Sequence, residues 1–588
     1  PDQVVPAEDL VTVRSDGYVR LRVPESGKAI ETTPPISIPG LLKRAAGEFP
    51  NHVALAKKAF IFPHGIPICC FRQYLEQVRT CAKAFLYLGL ERRHSVCILG
   101  FNSPEWFISD LGAIFAGGIA VGIYTTNSAE ACLYCAENSN ANIIVVEDEK
   151  QLEKILSVRS KIQNLKAIVQ YSGDPAHADV ISWKRLMEIG EQQPDDLLEE
   201  SLKTIAVNEC CTLVYTSGTV GNPKAVMVSH DNFTWDALAI TERLSIERGN
   251  EVIVTYLPLS HVAAQVVDIY VVMSIGGTVY FADKNALKGS LVNTLKEVQP
   301  TKFLAVPRVW EKMYEQMSQI ASQSGYLKRS IASIDIPIMD AFGMSEASGA
   351  HTLCVDGATN LETIGMALPG TKSKLFHPED GQGELCMYGR HVFMGYLNEM
   401  EKTAEALDPD GWLHTGDLGR IDEKGFVYIT GRLKELLITA GGENVPPVPI
   451  EQMVKYELPH ISNAFLVGDK RKFLSILLTF KTQVDPDTGA PLDELLPTVQ
   501  DWLKRLECPA TTVTEILKGG PDTKLLDALK EGIDRVNQQA TSNAQRIQKL
   551  AVLPADFSIP TGELGPTLKV KRRIVEERYS DIIEKMYT

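Results

Sequence analysis

The sequence predicts an α/β protein: a large N-terminal region of parallel sheets covered by helices, a β-rich subdomain, and a smaller α+β unit at the C-terminal end. Three observations predict it. From about Ile38 to Pro307, short and almost continuously apolar runs alternate with helical patterns, as strands buried on both faces do. From Gly383 to Thr430 the character changes to short runs set between several glycines and a "DEKG" turn, as antiparallel hairpins have. Beyond Lys434 a new helix–strand–strand–helix pattern begins, in a chain whose 588 residues exceed what one core holds.

The candidate parallel strands are 95–99, 119–124, 142–147, 167–171, 252–256, 278–281 and 303–306. Two long apolar stretches, "LGAIFAGGIAVGIY" and "IYVVMSIGGTVYF", are too short and too glycine-broken to span a bilayer; each reads as a helix running into a buried strand. "GELCMYG" and "LGRIDEKGFVYIT" are the hairpin strands, with "DEKG" as a turn. In the smaller unit a helix is expected near 450–458, strands at 464–467 and 474–480, and a long helix from about Lys524. The expected boundaries are 1–430 for the large domain, 431–434 for a hinge and 435–588 for the small domain.

A formal charge of -15 argues against nucleic acid as a partner, because phosphate binding needs clustered Lys and Arg. Eleven scattered cysteines suit reduced thiols in the cytosol better than a disulfide framework. Cys132 and Cys135 form a lone C-x-x-C without a second pair or nearby His, so they read as helix packing residues. The sequence starts at Pro1 rather than Met, so a targeting segment can precede it. Peripheral membrane contact stays open.

The most informative stretch is "YTSGTVGNPKAVMVSHDN", where apolar runs flank a loop of hydroxyls, glycines and one lysine. Backbone N–H groups in such a loop can surround anionic oxygens. The Walker A pattern fails, since Pro223 stands where its second glycine belongs and Ala225 follows Lys224. A surface hairpin would not need Thr216, Ser217 and Thr219 together.

"YTSGTVGNPK" resembles the signature loop of the adenylate-forming superfamily. "LPLSHVAAQ", "DAFGMSEASG", "GWLHTGDLG", "GRLKELLITAGGENVPP" and "GELGPTLKVKRR" follow in that family's order. "PLSHVAAQ", "ITAGGENVPP" and "GELGPTLK" are most similar to the bubblegum-type long-chain acyl-CoA synthetases of animals. The resemblance implies a long-chain fatty acid–CoA ligase that uses ATP, Mg2+ and coenzyme A, working in the cytoplasm or peripherally on the endoplasmic reticulum or other membranes. It implies a mobile C-terminal lid rotating about the hinge.

By the same resemblance Thr216, Ser217, Gly218, Thr219, Val220, Gly221, Asn222, Pro223 and Lys224 would hold the triphosphate. Glu346 and Thr219 would hold magnesium, a hard cation suited to oxygen ligands. Asp340, Ala341, Phe342, Gly343, Met344 and Ser345 would line the nucleotide pocket, with Phe342, where the family usually has Tyr, stacking on adenine. Asp417 would accept from the ribose hydroxyls, and Arg432 would add a contact. Lys569 would reach the α-phosphate, His261 would stand near the acyl pocket, and Gly441 and Gly442 would meet CoA. From the pattern itself, Thr567 fits an N-cap that puts Lys569 in a first helical turn, where the dipole disfavours a cation; Lys571, Arg572 and Arg573 read as solvated charge.

The chain departs from the family between Trp310 and Pro337, where it is short, and around 377–382. Either residues are missing from the sequence or part of the pocket is lost; removing a central strand would leave unpaired backbone groups in a buried sheet, which favours the former. The competing functions are a non-catalytic acyl- or nucleotide-binding relative and another adenylating enzyme of the superfamily.

Overall fold

The computed structural model describes residues 2–24, 28–57, 66–216, 222–244, 246–307, 309–311, 313, 338–354, 363–566 and 568–588. Its largest sheet has eight strands, in the order Gly395–Tyr396, Lys224–Ser229, Cys210–Thr216, Ile119–Ile123, Ser95–Leu99, Ala141–Val146, Ala167–Gln170 and Ile181–Ser182. The pairings from Cys210–Thr216 onward are parallel; those on its other side are antiparallel. Every residue of Ser95–Leu99 is buried, because helices cover both faces. Val96 and Ile98 join one core cluster while Cys97 and Leu99 join another, so the period of two divides the core across the sheet.

The helices between these strands begin on side-chain caps. Ser103 Oγ accepts from Trp106 N–H at 3.1 Å, Ser128 Oγ from Ala131 N–H at 3.2 Å, and Asp148 Oδ1 from Gln151 N–H at 3.2 Å. Each cap satisfies a backbone donor that the helix cannot, and contributes about 1 kcal/mol. Cys132 and Cys135 lie buried on the helix Ala129–Asn138, as expected of packing residues. Among the described residues no helix is long and apolar enough to cross a membrane.

A second sheet runs Val252–Thr255, Thr278–Phe281, Val53–Lys57 and Ile66–Cys70. The expected strand at 303–306 is not formed. That segment touches the edge of Val252–Thr255 at its start, through Thr301 N–H to Val252 O at 2.9 Å, and Tyr256 Oη donates to Leu304 O at 3.0 Å. No described strand lies beyond it to continue a ladder, and the residues after it, 314–337, lie outside those described.

The β-rich region is an antiparallel sheet of Lys372–Glu379, Gln382–Tyr388, Leu413–Ile421 and Val427–Arg432. At 377–382, where the sequence looks abbreviated, the hairpin closes through Asp380 and Gly381, both with positive φ (49° and 77°), a pairing suited to a tight two-residue turn. "DEKG" is a turn, closed by Gly425 N–H to Asp422 O at 2.9 Å. The C-terminal residues form a sheet of Ile461–Val467, Leu474–Phe480 and Ile547–Val552. Leu466, Ile476 and Leu478 face the helices Pro447–Glu457 and Thr523–Asn537, and Phe465, Val467 and Leu477 face Arg572–Arg578 and Ser580–Tyr587.

Two sequence expectations near the C-terminal end are corrected. Lys569 is not in a helical first turn: the helix begins at Arg572, because residues 563–565 pair with residues 569–571 first. The proposed cap, Thr567, lies outside the described residues. Arg572 is not solvated charge. It donates to Glu451 Oε1 at 2.8 Å and Leu466 O at 2.7 Å, and lies 4.2 Å over the Phe465 ring.

Candidate active site

The glycine-rich stretch is the connection of an antiparallel pair, with Thr216 registered opposite Lys224. Ser217, Gly218, Thr219, Val220 and Gly221 lie outside the described residues; Asn222 and Pro223 lead into the strand that carries Lys224. The Lys224 ammonium stands 4.0 Å from the centre of the Tyr396 ring. The Tyr396 hydroxyl in turn donates to Glu346 Oε1 at 2.6 Å. Burial lowers the Lys224 pKa, while the Glu346 carboxylate works to raise it. A cation on the ring face and a buried carboxylate at the ring hydroxyl thus share one tyrosine.

Glu346 is buried in the single helical turn Ser345–Ala347, and its carbonyl accepts from Phe393 N–H at 2.8 Å. The turn follows the hairpin of Ala341–Met344 with Gly349–Leu353. Gly343 is required there: a Cβ on it would come within 1.7 Å of Gly349 O. Asp340 precedes this hairpin, where its carbonyl accepts from Cys354 N–H at 2.9 Å and burial raises its carboxyl pKa. Phe342 and Met344 are partly buried against the main core, whereas Ala341 and Gly343 face outward.

Asp417 and Arg432 are cross-strand partners, and the Arg432 Nε donates to Asp417 Oδ1 at 2.9 Å. The turn before Asp417 is built by its neighbours. Gly416, with φ 73°, donates its N–H to Glu384 Oε1 at 2.9 Å, and Thr415 Oγ1 donates to Leu385 O at 2.8 Å and accepts from Asp417 N–H at 3.0 Å. Burial raises the Asp417 pKa, against the pull of Arg432 and, further off, Lys569.

Lys569 comes from the C-terminal residues to the same place. The residue is exposed overall, yet crowding around its ammonium, and next the Arg432 cation, lower its pKa; Asp417, Glu435 and Glu346 oppose them. His261 is close enough to feel Lys569. Burial first, then that cation, bring its pKa down to about 4, so it is neutral at ordinary pH. Its Nδ1 accepts from Ala263 N–H at 3.2 Å, which puts the ring proton on Nε2. The structure therefore brings together Lys224, Glu346, Asp417, Arg432, Lys569 and His261. Gly441 and Gly442 stand apart, in an exposed turn whose neighbouring contacts are to Arg471 and Ser542.

Sequence reading missed Tyr396 and Glu384. Tyr396 sits on a two-residue strand, and only its pairing beside Val226 brings it to Lys224.

Comparison with known proteins bears directly on this arrangement. Residues 42–397 match the AMP-binding enzyme family, and residues 434–519 match the AMP-binding enzyme C-terminal domain. The chain belongs to the AMP-binding enzyme family. It is 46% identical to the long-chain-fatty-acid–CoA ligase ACSBG2 of Xenopus laevis over 648 residues, covering 98% of this chain and 87% of that protein. It is 44% identical to the long-chain-fatty-acid–CoA ligase ACSBG1 of Homo sapiens over 652 residues, covering 99% and 89%. These relatives are of the bubblegum type that the motifs resemble. An alignment of 648 positions must open gaps in a chain of 588, so the relatives carry internal segments that this sequence lacks.

In fold, the AMP-binding enzyme chain is similar to the adenylation domain of carboxylic acid reductase from Segniliparus rugosus. That match has a TM-score of 0.74 at 17% identity, over 94% of each chain. It is also similar to a Mycobacterium tuberculosis fatty acyl CoA synthetase, with a TM-score of 0.62 at 20% identity, covering 93% and 99%.

Proposed function

We propose that this chain is an AMP-forming long-chain fatty acid–CoA ligase. The observation that carries the reading is the near-complete coverage, at 43–46% identity, by relatives named long-chain-fatty-acid–CoA ligase. The convergence of Lys224, Glu346, Asp417, Arg432 and Lys569 on one another supports it chemically.

In the first step an oxygen of the fatty carboxylate bonds to the α-phosphorus of ATP and the bond to pyrophosphate breaks. Both reactants are anionic, so placing cations is most of the catalytic task. Lys224 supplies one from the strand Lys224–Ser229 of the large sheet, and Lys569 another from the C-terminal residues. Asp417, held by Arg432, offers acceptor oxygens to a ribose diol. In the second step the CoA sulfur bonds to the acyl carbon, the bond to AMP breaks, and the thiol proton is lost. Neutral His261 can donate from Nε2 without adding charge near the acyl chain.

Magnesium fits Glu346. Tyr396 engages Oε1, and Oε2 carries no hydrogen bond within the described residues. Glu346, with Thr219 of the loop, would hold the ion, which supplies charge neutralisation at the phosphates. The small domain, taken as 435–588 beyond a hinge at 431–434, would carry Lys569 in and out and let Gly441 and Gly442 meet CoA. All eleven cysteines are free, and ten of them are buried, which supports a reducing, cytoplasmic setting; peripheral contact with the endoplasmic reticulum or other membranes belongs to the same proposal.

The test is product analysis of the purified chain with Mg-ATP, a long-chain fatty acid and CoA. Formation of acyl-CoA and AMP in equal amounts supports the reading. ADP as product, or nucleotide turnover without acyl-CoA, refutes it.

A further inference from the structure

Lys569 reaches the site from a tight hairpin. Leu564 and Val570 bridge antiparallel; Gly565 N–H donates to Lys569 O at 2.8 Å, Leu568 N–H to Gly565 O at 2.8 Å, and Lys571 N–H to Glu563 O at 2.7 Å. This is the pattern of a turn closed by a bulge whose last residue is left-handed, a place that suits glycine. Here it is Leu568, with φ 63°. A branched L side chain is disfavoured in that region, and such a residue persists only where its surroundings over-determine it.

What surrounds Leu568 is unusual. Its partly buried side chain packs against the main N-terminal core and also against the C-terminal cluster that contains Phe465, Leu564 and Val575. It is immediately followed by the lysine whose ammonium feels Arg432, Asp417 and Glu346. A second contact ties the two parts: Lys455 Nζ meets Glu311 Oε2 at 3.0 Å, with both side chains half-buried.

We infer that Leu568 is a positioning residue for Lys569. Its side chain is wedged between the two cores and fixes the hairpin so that the ammonium stays near Asp417 and Glu346. The left-handed backbone makes this seat one that the wedge must hold, so withdrawing the small domain releases both together. Leu568 touches no reacting atom; it acts through Lys569. This rests on the ligase reading, because Lys569 needs placing only for the first step.

The experiment compares the parent chain with Leu568→Ala and Leu568→Met in two separate half-reactions. One is fatty-acid-dependent pyrophosphate release, and the other is acyl-CoA formation from supplied acyl-adenylate and CoA. The inference predicts that Leu568→Ala lowers kcat of the first about ten- to a hundredfold, as misplacing a catalytic group does. The KM for ATP and the second half-reaction stay near the parent's, and Leu568→Met restores the first. Equal losses in both half-reactions alongside a lowered Tm, or no loss in the first, overturn it.

Hydrogen exchange across residues 563–571 without substrates gives a readout that does not depend on activity. Faster exchange in Leu568→Ala than in Leu568→Met supports the wedge, and equal exchange overturns it. A parent chain that releases no pyrophosphate while Leu568→Ala loosens the hairpin would refute the ligase reading and leave the wedge standing.

Discussion

Tyr396 donates its hydroxyl to Glu346 Oε1 at 2.6 Å, from a ring that carries the Lys224 ammonium on its face. One tyrosine side chain thereby contacts both the cation and the carboxylate. Burial and the Glu346 charge both push the Tyr396 pKa up, so its proton stays in place as the donor.

Replacing that hydroxyl separates its two contacts. Tyr396→Phe keeps the aromatic face for Lys224 and removes the donor to a buried carboxylate. A hydrogen bond to a charged group contributes about 1.5–3 kcal/mol, so pyrophosphate release should fall roughly ten- to a hundredfold. Far-ultraviolet circular dichroism, recorded beside the rates, should stay close to the parent, while Tm falls by no more than a few degrees. A rate equal to the parent's would show that Glu346 does not depend on this bond.

The pH profile has a sign that neighbouring residues should shift in opposite ways. Lys569 has a pKa lowered from 10.5, so activity needing its ammonium is present below that lowered value and lost as pH rises through it. Arg432 helps to lower it and Asp417 opposes the lowering. Arg432→Gln should therefore move the alkaline limb of kcat/KM to higher pH, and Asp417→Asn should move it lower. Limbs that move together would mean the titrating group is not Lys569.

Glycine 343 offers a steric test. Gly343→Ala places a methyl group against Gly349 O, so the hairpin leading into Glu346 must open. A loss of about 1–3 kcal/mol in urea unfolding is expected, the range for overpacking, together with most of the activity. Gly47, on the helix Ile38–Glu48, has nothing within 4 Å of the same position. Gly47→Ala should instead stabilise by about 0.5–1 kcal/mol.

The buried pair Arg390–Asp231 tests the frame around the site. Arg390 Nε and Nη2 meet Asp231 at 3.0 and 2.5 Å, and Nη1 donates to Thr33 O at 2.6 Å. Burial alone would raise the Asp231 pKa, and Arg390 opposes it. Arg390→Met leaves a carboxylate without its partner and should cost about 3–5 kcal/mol by urea unfolding. The double variant Arg390→Met with Asp231→Leu should recover most of that; a double variant no more stable than the single one would contradict the argument.

How much of this was legible depends on what each residue answers to. Thr278–Phe281 and Leu474–Phe480 were readable to the residue, since an apolar run bounded by glycine or a charged turn has one buried extended solution. The segment 303–306 has the same composition but lacks a described neighbour to pair with, which composition cannot reveal. Lys224, Glu346, Asp417 and Arg432 announced themselves through motif residues. Tyr396 did not, because its role comes from the sheet order that places a two-residue strand beside Lys224–Ser229. The helix assigned to Lys569 was misread because its apolar spacing continues backward into a hairpin, and only backbone pairing distinguishes the two.

The central claim is that the site where Lys569 meets Glu346 and Asp417 activates a fatty acid with ATP. The most direct measurement is pyrophosphate release by the parent chain and Lys569→Ala, with Mg-ATP and a long-chain fatty acid, with and without CoA. The account predicts fatty-acid-dependent release that CoA accelerates and that collapses in Lys569→Ala, while the variant still forms acyl-CoA from supplied acyl-adenylate. Undiminished release in Lys569→Ala, or ATP binding without any fatty-acid-dependent release in the parent, would contradict it.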